Sequence, residues 1–261
     1  MVWRMTRIAV MGLGEAGSLF ARGLAAEGAE VAGYDPYVDV SARGIAQRAR
    51  LEDCLDGADV VLSLVGARAS VDAARDAVAR MAPGALLADL NTSAPETKRR
   101  VAELARVAGI GIADVAVLAP VSRAGHRTPL LASGDAAELF AARIRPYGAP
   151  VEIVPGDVGE AARLKLLRAV FMKGMAAVVL ESLHAARASG AEEWVRAQIA
   201  SELGPDGDAT LEHLLAGTYR HAERREHEMR DATELLEQAG SPADITRATR
   251  AWLQRVLDGD A

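Results

Sequence analysis

Residues 12–17 read Gly-Leu-Gly-Glu-Ala-Gly, directly behind the apolar run Ile8-Ala-Val-Met11 and at the head of a helical pattern over Glu15–Glu27. A G-x-G-x-x-G pattern alone is a weak signal, but at a strand-to-helix junction it has a mechanism. Gly12 permits the tight turn, Gly14 lets the backbone approach a pyrophosphate, and Gly17 lets helix and strand pack closely. The free N–H groups and positive dipole end of the helix then face the phosphates. A chain that begins this way is held to a βαβ unit that cradles a dinucleotide on Gly12, Leu13, Gly14, Glu15, Ala16 and Gly17.

The pattern beyond the turn agrees. Glu30-Val-Ala-Gly-Tyr34, Val60-Val-Leu-Ser-Leu-Val65, Ala85-Leu-Leu-Ala-Asp89 and Gly111-Ile-Ala-Asp-Val115 read as strands, separated by helical patterns near Ser41–Ala49 and over Ser70–Met81 and Pro95–Gly109. Strands apolar on both faces and spaced by helices require a buried parallel sheet, so the class is α/β, a doubly wound Rossmann domain over residues 1–156. Leu64 and Val65, closing the third strand, are expected against the cofactor. After Gly156 the period-two signal stops, and residues 157–261 are expected to form an all-helical domain that completes the active site. Glu160–Ala188 reads as one long helix, apolar on nearly every face, which predicts burial as the spine of that domain. Ala191–Leu203, Ala209–Leu215, Tyr219–Ala239 and Ala243–Asp258 follow as further helices between Gly, Pro and Asp punctuation.

Charge and cysteine content narrow the partners. A formal charge of −6 provides no positive field for nucleic acid or an anionic membrane, which leaves a small molecule. Cys54 stands alone, so neither an internal disulfide nor a cysteine metal cluster is expected, and a reducing cytoplasm fits. The opening residues show no signal-peptide pattern, and the stretch Ala169–Leu180, broken by Lys173, is too short to cross a hydrocarbon core of roughly 30 Å.

Asp35 closes the second strand, eighteen residues after Gly17. A carboxylate there can accept hydrogen bonds from the adenine ribose hydroxyls and repel a 2′-phosphate, which favours NAD over NADP. The same position suits a turn aspartate before Pro36, and Arg43 nearby offers a partner for a phosphate.

These residues resemble the β-hydroxyacid dehydrogenases, the superfamily of 3-hydroxyisobutyrate and 6-phosphogluconate dehydrogenases. The cofactor motif G-L-G-x-M/A-G is matched by Gly12–Gly17. The motif D-x-S-T-x-x-P is approached by Asp89-Leu-Asn-Thr92-Ser-Ala-Pro95, with Asn91 in place of serine. The substrate motif D-A-P-V-S-G-G aligns with Asp114-Val-Ala-Val117, with Ala124, Thr128 and Gly134 at the spacings that follow, but Leu118-Ala119-Pro120 replaces Ser-Gly-Gly. In the family those small residues help hold the substrate carboxylate; here Ser122, His126 or Arg127 can substitute, and each also suits an exposed loop. The motif G-x-G-x-x-x-K-x-x-N is matched by Gly159 and Lys165, with Ala161 for the second glycine and Arg168 for the asparagine. The resemblance is greatest to a branch with a small helical C-terminal domain of unassigned function, so no substrate is inherited.

By resemblance Lys165 is the general acid/base, Asn91 or Thr92 contacts nicotinamide or substrate, and Arg168 steadies negative charge. Independently, a lysine among Leu164, Leu166 and Leu167 must reach a cleft, a partner or water, and desolvation beside Arg168 is expected to favour its neutral amine. Lys173, roughly 80° further round the helix, ranks below it. Tyr219–Met229 is rich in charge; its Arg224–Glu228 pair reads as a solvated helix face, although His221 or Arg224 could reach the cleft. His221 and His227 lie on opposed faces, and no metal is expected.

The resemblance implies an NAD(P)-dependent oxidoreductase acting on a small hydroxy acid or related carbonyl compound, its lysine amine meeting the nicotinamide across the gap between the two halves. The alternatives are imine reduction, against which retention of Lys165 argues, and a non-catalytic NAD(P)-binding sensor, suggested by the altered Ser-Gly-Gly segment. The apolar long helix further predicts a homodimer.

Overall fold

The structure is a computed structural model that describes residues 5–41 and 44–260. Arg43 lies outside the described residues. The first unit, residues 1–163, is built on a sheet of seven strands: β1 (Arg7–Met11), β2 (Glu30–Tyr34), β3 (Val60–Ser63), β4 (Leu86–Asp89), β5 (Gly111–Val117), β6 (Leu130–Ser133) and β7 (Val151–Ile153). Their order is β2-β1-β3-β4-β5-β6-β7. β1 to β5 are parallel, β6 is antiparallel to β5, and β7 is parallel to β6. From β1 the chain moves to β2 on one side and returns to β3 on the other, so the switch in strand order lies at the glycine turn.

Alternate side chains feed two apolar layers. Ile8 and Val10 of β1 pack with Phe20 and Leu24 of α1 (Glu15–Ala26) and with Phe140 and Ile144 of α6 (Ala137–Ile144). Ala9 and Met11 face Leu55 of α2 (Leu51–Leu55), Ala74 and Ala77 of α3 (Ser70–Val78) and Val101 and Ala105 of α4 (Pro95–Val107). Covering both faces is what lets each strand be apolar throughout. The short α5 (Val121–Ala124) follows β5.

One local expectation fails. Residues 44–49 form no helix; Gly33 N–H donates to Ala46 O (3.0 Å) and Arg48 N–H to Gly33 O (2.7 Å), so this segment borrows the free edge of β2. The helix forms later, as α2. The five strands expected from the sequence pair in parallel, and the short connection from β5 through α5 then reverses the chain into β6.

The second unit, residues 164–261, contains most of α7 (Glu160–Ala188) with α8 (Glu192–Glu202), α9 (Gly207–Arg220), α10 (Ala222–Gln238) and α11 (Asp244–Asp258). One core joins Val179, Leu180 and Leu183 of α7 to Leu211, Leu214 and Leu215 of α9. Another joins Leu166 and Ala169 to Met229, Ala232 and Leu253. The division falls inside α7, rather than ahead of it at residue 156, because the first turn of that helix is bonded to the sheet unit. α7 is also not buried all round: Phe171 is 67% exposed and Val178 63%. Among the described residues no helix is long and apolar enough to cross a membrane.

Gly23 of α1 illustrates how tightly the first layer closes. A Cβ there would lie 1.9 Å from Nδ1 of the buried His126 ring. Alanine in a helix interior ordinarily gains about 1 kcal/mol over glycine, but overpacking against a buried ring costs about 1–3 kcal/mol. Gly23→Ala is therefore expected to lower the urea midpoint, and an unchanged or raised midpoint would show that the ring yields freely.

Candidate functional site

The turn after β1 has the geometry its glycines imply. Gly12 sits at φ +86° and donates its N–H to Tyr34 O at 2.9 Å. A Cβ on it would lie 2.5 Å from Leu64 O, and one on Gly17 would lie 1.8 Å from Gly12 O. Above Gly14, by contrast, nothing lies within 4 Å of a Cβ position, and no side chain caps the start of α1. Backbone packed tightly below and open above, at an uncapped helix N-terminus, fits a pyrophosphate. Glu15 is exposed, Ala16 half-buried and Leu13 fully buried under the turn.

Asp35 holds this turn in shape. Its Oδ2 accepts the Leu13 N–H at 2.7 Å, while Oδ1 accepts those of Tyr37 (2.8 Å) and Val38 (3.1 Å). The turn-aspartate role is thus present, and the carboxylate also joins the end of β2 to the phosphate turn. It remains half-buried, at the edge where a ribose would lie.

Asn91 is held from several sides. Its Nδ2 donates to Asp89 Oδ1 (2.6 Å) and Ser63 Oγ (2.9 Å), and its Oδ1 accepts the Gly66 N–H (2.8 Å). Both amide hydrogens are used inside the protein, and they shape the loop carrying Leu64 and Val65. Leu64, Val65 and Thr92 are half-buried beside it.

Beneath Asn91 lies a buried ionic group. Lys98, 1% exposed, donates to Asp89 O (2.6 Å) and stands 3.3 Å from Asp89 Oδ2 and 3.3 Å from Asp114 Oδ1. Sequence reasoning aligned Asp114 but gave it no role, and passed over Lys98. The signal was there: Pro95, Lys98, Val101 and Ala105 share the inward stripe of α4, where an ammonium must find a counter-charge.

The loop after β5 places the three substitutes for Ser-Gly-Gly differently. Ser122 is exposed on α5. His126 is buried against α1, and burial lowers its proton affinity despite Glu27 nearby. Arg127 pairs with Glu27 at 2.5 Å. His126 and Arg127 thus fasten the loop to α1, while Ser122 faces outward.

In the second unit Lys165 is half-buried and Arg168 exposed on α7. The charged segment of α10 is solvated at Glu223 and Arg224 but not at Glu228. Glu228 is 4% exposed, with Lys173 Nζ 2.6 Å from Oε2 and Arg224 Nη1 donating to Oε1 at 2.8 Å. Although burial opposes its charge, Lys173, Lys165 and Arg224 together hold Glu228 down at about 2. Lys173 is also lowered, by desolvation first, because it shares one carboxylate with other cations and faces Arg225 and Arg224. His221 is half-buried, and His227 Nε2 stands 3.9 Å from Glu226. Among the described residues no three His, Cys, Asp or Glu side chains are grouped to hold a metal.

Comparison with known proteins agrees with the glycine turn. Residues 7–146 match the NAD binding domain of 6-phosphogluconate dehydrogenase, and residues 186–256 match a domain family of unknown function, DUF1932. The chain belongs to the β-hydroxyacid dehydrogenase superfamily. A 3-hydroxyisobutyrate dehydrogenase of Pseudomonas aeruginosa is 36% identical over 150 residues, 54% of this chain and 50% of that protein. The match thus spans half the length of that relative. An NAD-dependent L-serine dehydrogenase of the same organism is 30% identical over 209 residues, 75% of this chain and 69% of its own. Among solved structures, a conserved hypothetical protein from Sinorhizobium meliloti 1021 superposes with a TM-score of 0.75 at 30% identity, covering 97% of this chain and 88% of that one. As a superfamily member the chain carries an NAD-binding domain, and the residues that would hold the dinucleotide are those of the turn and Asp35.

Glu228 makes the second unit sensitive to acid. Its folded value, about 2, lies below the ordinary 4.5, so its contribution is complete above about pH 4.5 and disappears as pH falls through 2. The size is on the order of 3 kcal/mol. Urea unfolding followed from pH 5 to 2.5 should lose stability more steeply in the wild type than in Glu228→Gln; parallel slopes would remove Glu228 as the cause.

Proposed function

We propose that the protein is an NAD-dependent oxidoreductase of small hydroxy carboxylates, with Lys165 as general acid/base. The observation that carries this reading is the glycine turn, closed below by Leu64 O and Gly12 O and open above Gly14. The relatives support the substrate class: 3-hydroxyisobutyrate and L-serine are both carboxylates with a hydroxyl on the third carbon.

When bound, the nicotinamide supplies or accepts the hydride. The protein handles the proton and the charges. In the oxidative direction Lys165 Nζ takes the hydroxyl proton as the carbinol carbon becomes a carbonyl, and in the reductive direction it returns that proton. Arg168, exposed on the same helix, offers a guanidinium to the substrate carboxylate, with the Ser122 and Thr92 hydroxyls as further donors. Asp35 accepts from the ribose hydroxyls and disfavours a 2′-phosphate, which selects NAD over NADP. In this reading the first unit binds the dinucleotide, while the second handles the proton and self-association.

Purified protein should oxidise members of a 3-hydroxy acid panel with NAD in preference to NADP. Lys165→Met should cut kcat by about 10²–10⁴-fold and leave the NAD Kd within about twofold, read by fluorescence titration. Equal loss of NAD binding would mean that the proton-transfer group has been misplaced. Tight NAD binding without turnover of any hydroxy acid would instead favour a sensor, and reduction of a cyclic imine an imine reductase.

We also propose a homodimer through α7. Leu167, Phe171 and Val178 are exposed along it, and Ile245 of α11, itself exposed, lies 3.6 Å from the Cβ position of Gly174. Together they make one apolar patch that a second copy would cover. Light scattering should give twice the chain mass for the wild type and the single-chain mass for Phe171→Asp; a monomeric wild type would end the proposal.

A further inference from the structure

The start of α7 is satisfied in an unusual way. The first N–H groups of a helix have no partner within it and are commonly met by a side chain from the residue just ahead. Here they are met from the sheet. Asp114 Oδ2, on β5, accepts the N–H groups of Gly159 and Ala162, each at 3.0 Å. Ser133 Oγ, on β6, accepts the Ala161 N–H at 3.0 Å and donates its own hydrogen to Asp114 Oδ2 at 3.4 Å. Asp114 and Ser133 are directly opposed in the antiparallel register and both fully buried, so the two acceptors form one preset cradle.

The carboxylate is itself held. Lys98 stands 3.3 Å from its other oxygen, and its ammonium is also fixed by Asp89. Asp89 in turn accepts from the backbone N–H of Asn91 (3.0 Å) and from its side-chain amide, the group that shapes the loop of Leu64 to Gly66. Burying an ammonium between two carboxylates gains little stability over an apolar core of the same volume. What this arrangement supplies, and an apolar core would not, is a negative charge at a set point facing the positive end of a long helix.

We propose that Asp114 is a positioning residue for Lys165: its carboxylate, fixed by Lys98, sets the start of α7 and thereby the helical position of the lysine three residues beyond Ala162. The proposal rests on the reading of Lys165 as the proton-transfer group. A first turn bonded at three amides does not fray, so the helix that carries Lys165, about one turn further along, starts from a fixed point. Catalytic groups tolerate little error: a displacement of about 1 Å costs on the order of 10²-fold in rate.

The test is Asp114→Asn, which keeps size and shape but removes the charge. Amide hydrogen exchange at Gly159, Ala161 and Ala162 should accelerate at least about tenfold while kcat falls about 30–100-fold. The NAD Kd should stay within about twofold. In a Lys165→Met background, Asp114→Asn should cause no further loss, because it acts through the lysine. Ser133→Ala, the milder variant if Asp114→Asn does not fold, should speed exchange at Ala161 and lower kcat by a smaller factor. Wild-type exchange at these amides, or a kcat loss that adds in full to that of Lys165→Met, overturns the proposal. So does a kcat loss that only tracks NAD affinity. Should Lys165→Met turn over like the wild type, the functional reading falls and the positioning role falls with it; faster exchange in Asp114→Asn would still mark the helix anchor as real.

Discussion

An ammonium shut away from water between Asp89 and Asp114 joins two parts of the sheet unit. On one side, through Asp89 and Asn91, it fixes the loop that follows β3 beside the glycine turn. On the other, through Asp114, it fixes the first turn of the longest helix. Remove Lys98 and two carboxylates would stand in a dry interior without a cation, a situation proteins avoid because the uncompensated charge costs several kcal/mol.

The same economy appears in the second unit around a carboxylate of opposite setting. Glu228 is nearly as buried as Asp114, but two side-chain cations pair with it, where Asp114 shares one ammonium and otherwise accepts backbone N–H groups. One buried anion organises a helix start, the other ties α10 to α7. Both show why a helical half with modest apolar cores can still hold defined positions: a buried charge admits few arrangements, whereas apolar side chains slide past each other at little cost.

What was legible in the amino-acid string was what depends on near neighbours. The glycine turn, the alternation that builds the sheet and the span of α7 follow from residues a few positions apart, and the structure has them. Residues 44–49 were misread as a helix because their hydrogen bonds go to the edge of β2, which no local pattern announces. The reversal of β6 was hidden for the same reason. The position of Asn91 in the motif is visible in the sequence, but its partners Ser63 and Gly66, 28 and 25 residues away, are not. Lys98 could have been found by asking why a lysine shares the inward stripe with Val101 and Ala105. Glu228 could not, since its meaning depends on Lys173 on another helix.

The antiparallel course of β6 has a consequence for how such chains can be cut and joined. Because Ser133 is delivered beside Asp114, the sheet carries a receptor for backbone that lies beyond its last strand. A recombinant fragment ending at β7 would keep every strand but leave this receptor facing solvent with its donors gone, whereas one that runs on through Ala162 brings its own stopper. Exchange of helical halves between relatives should therefore respect a seam inside the helix, not the loop in front of it.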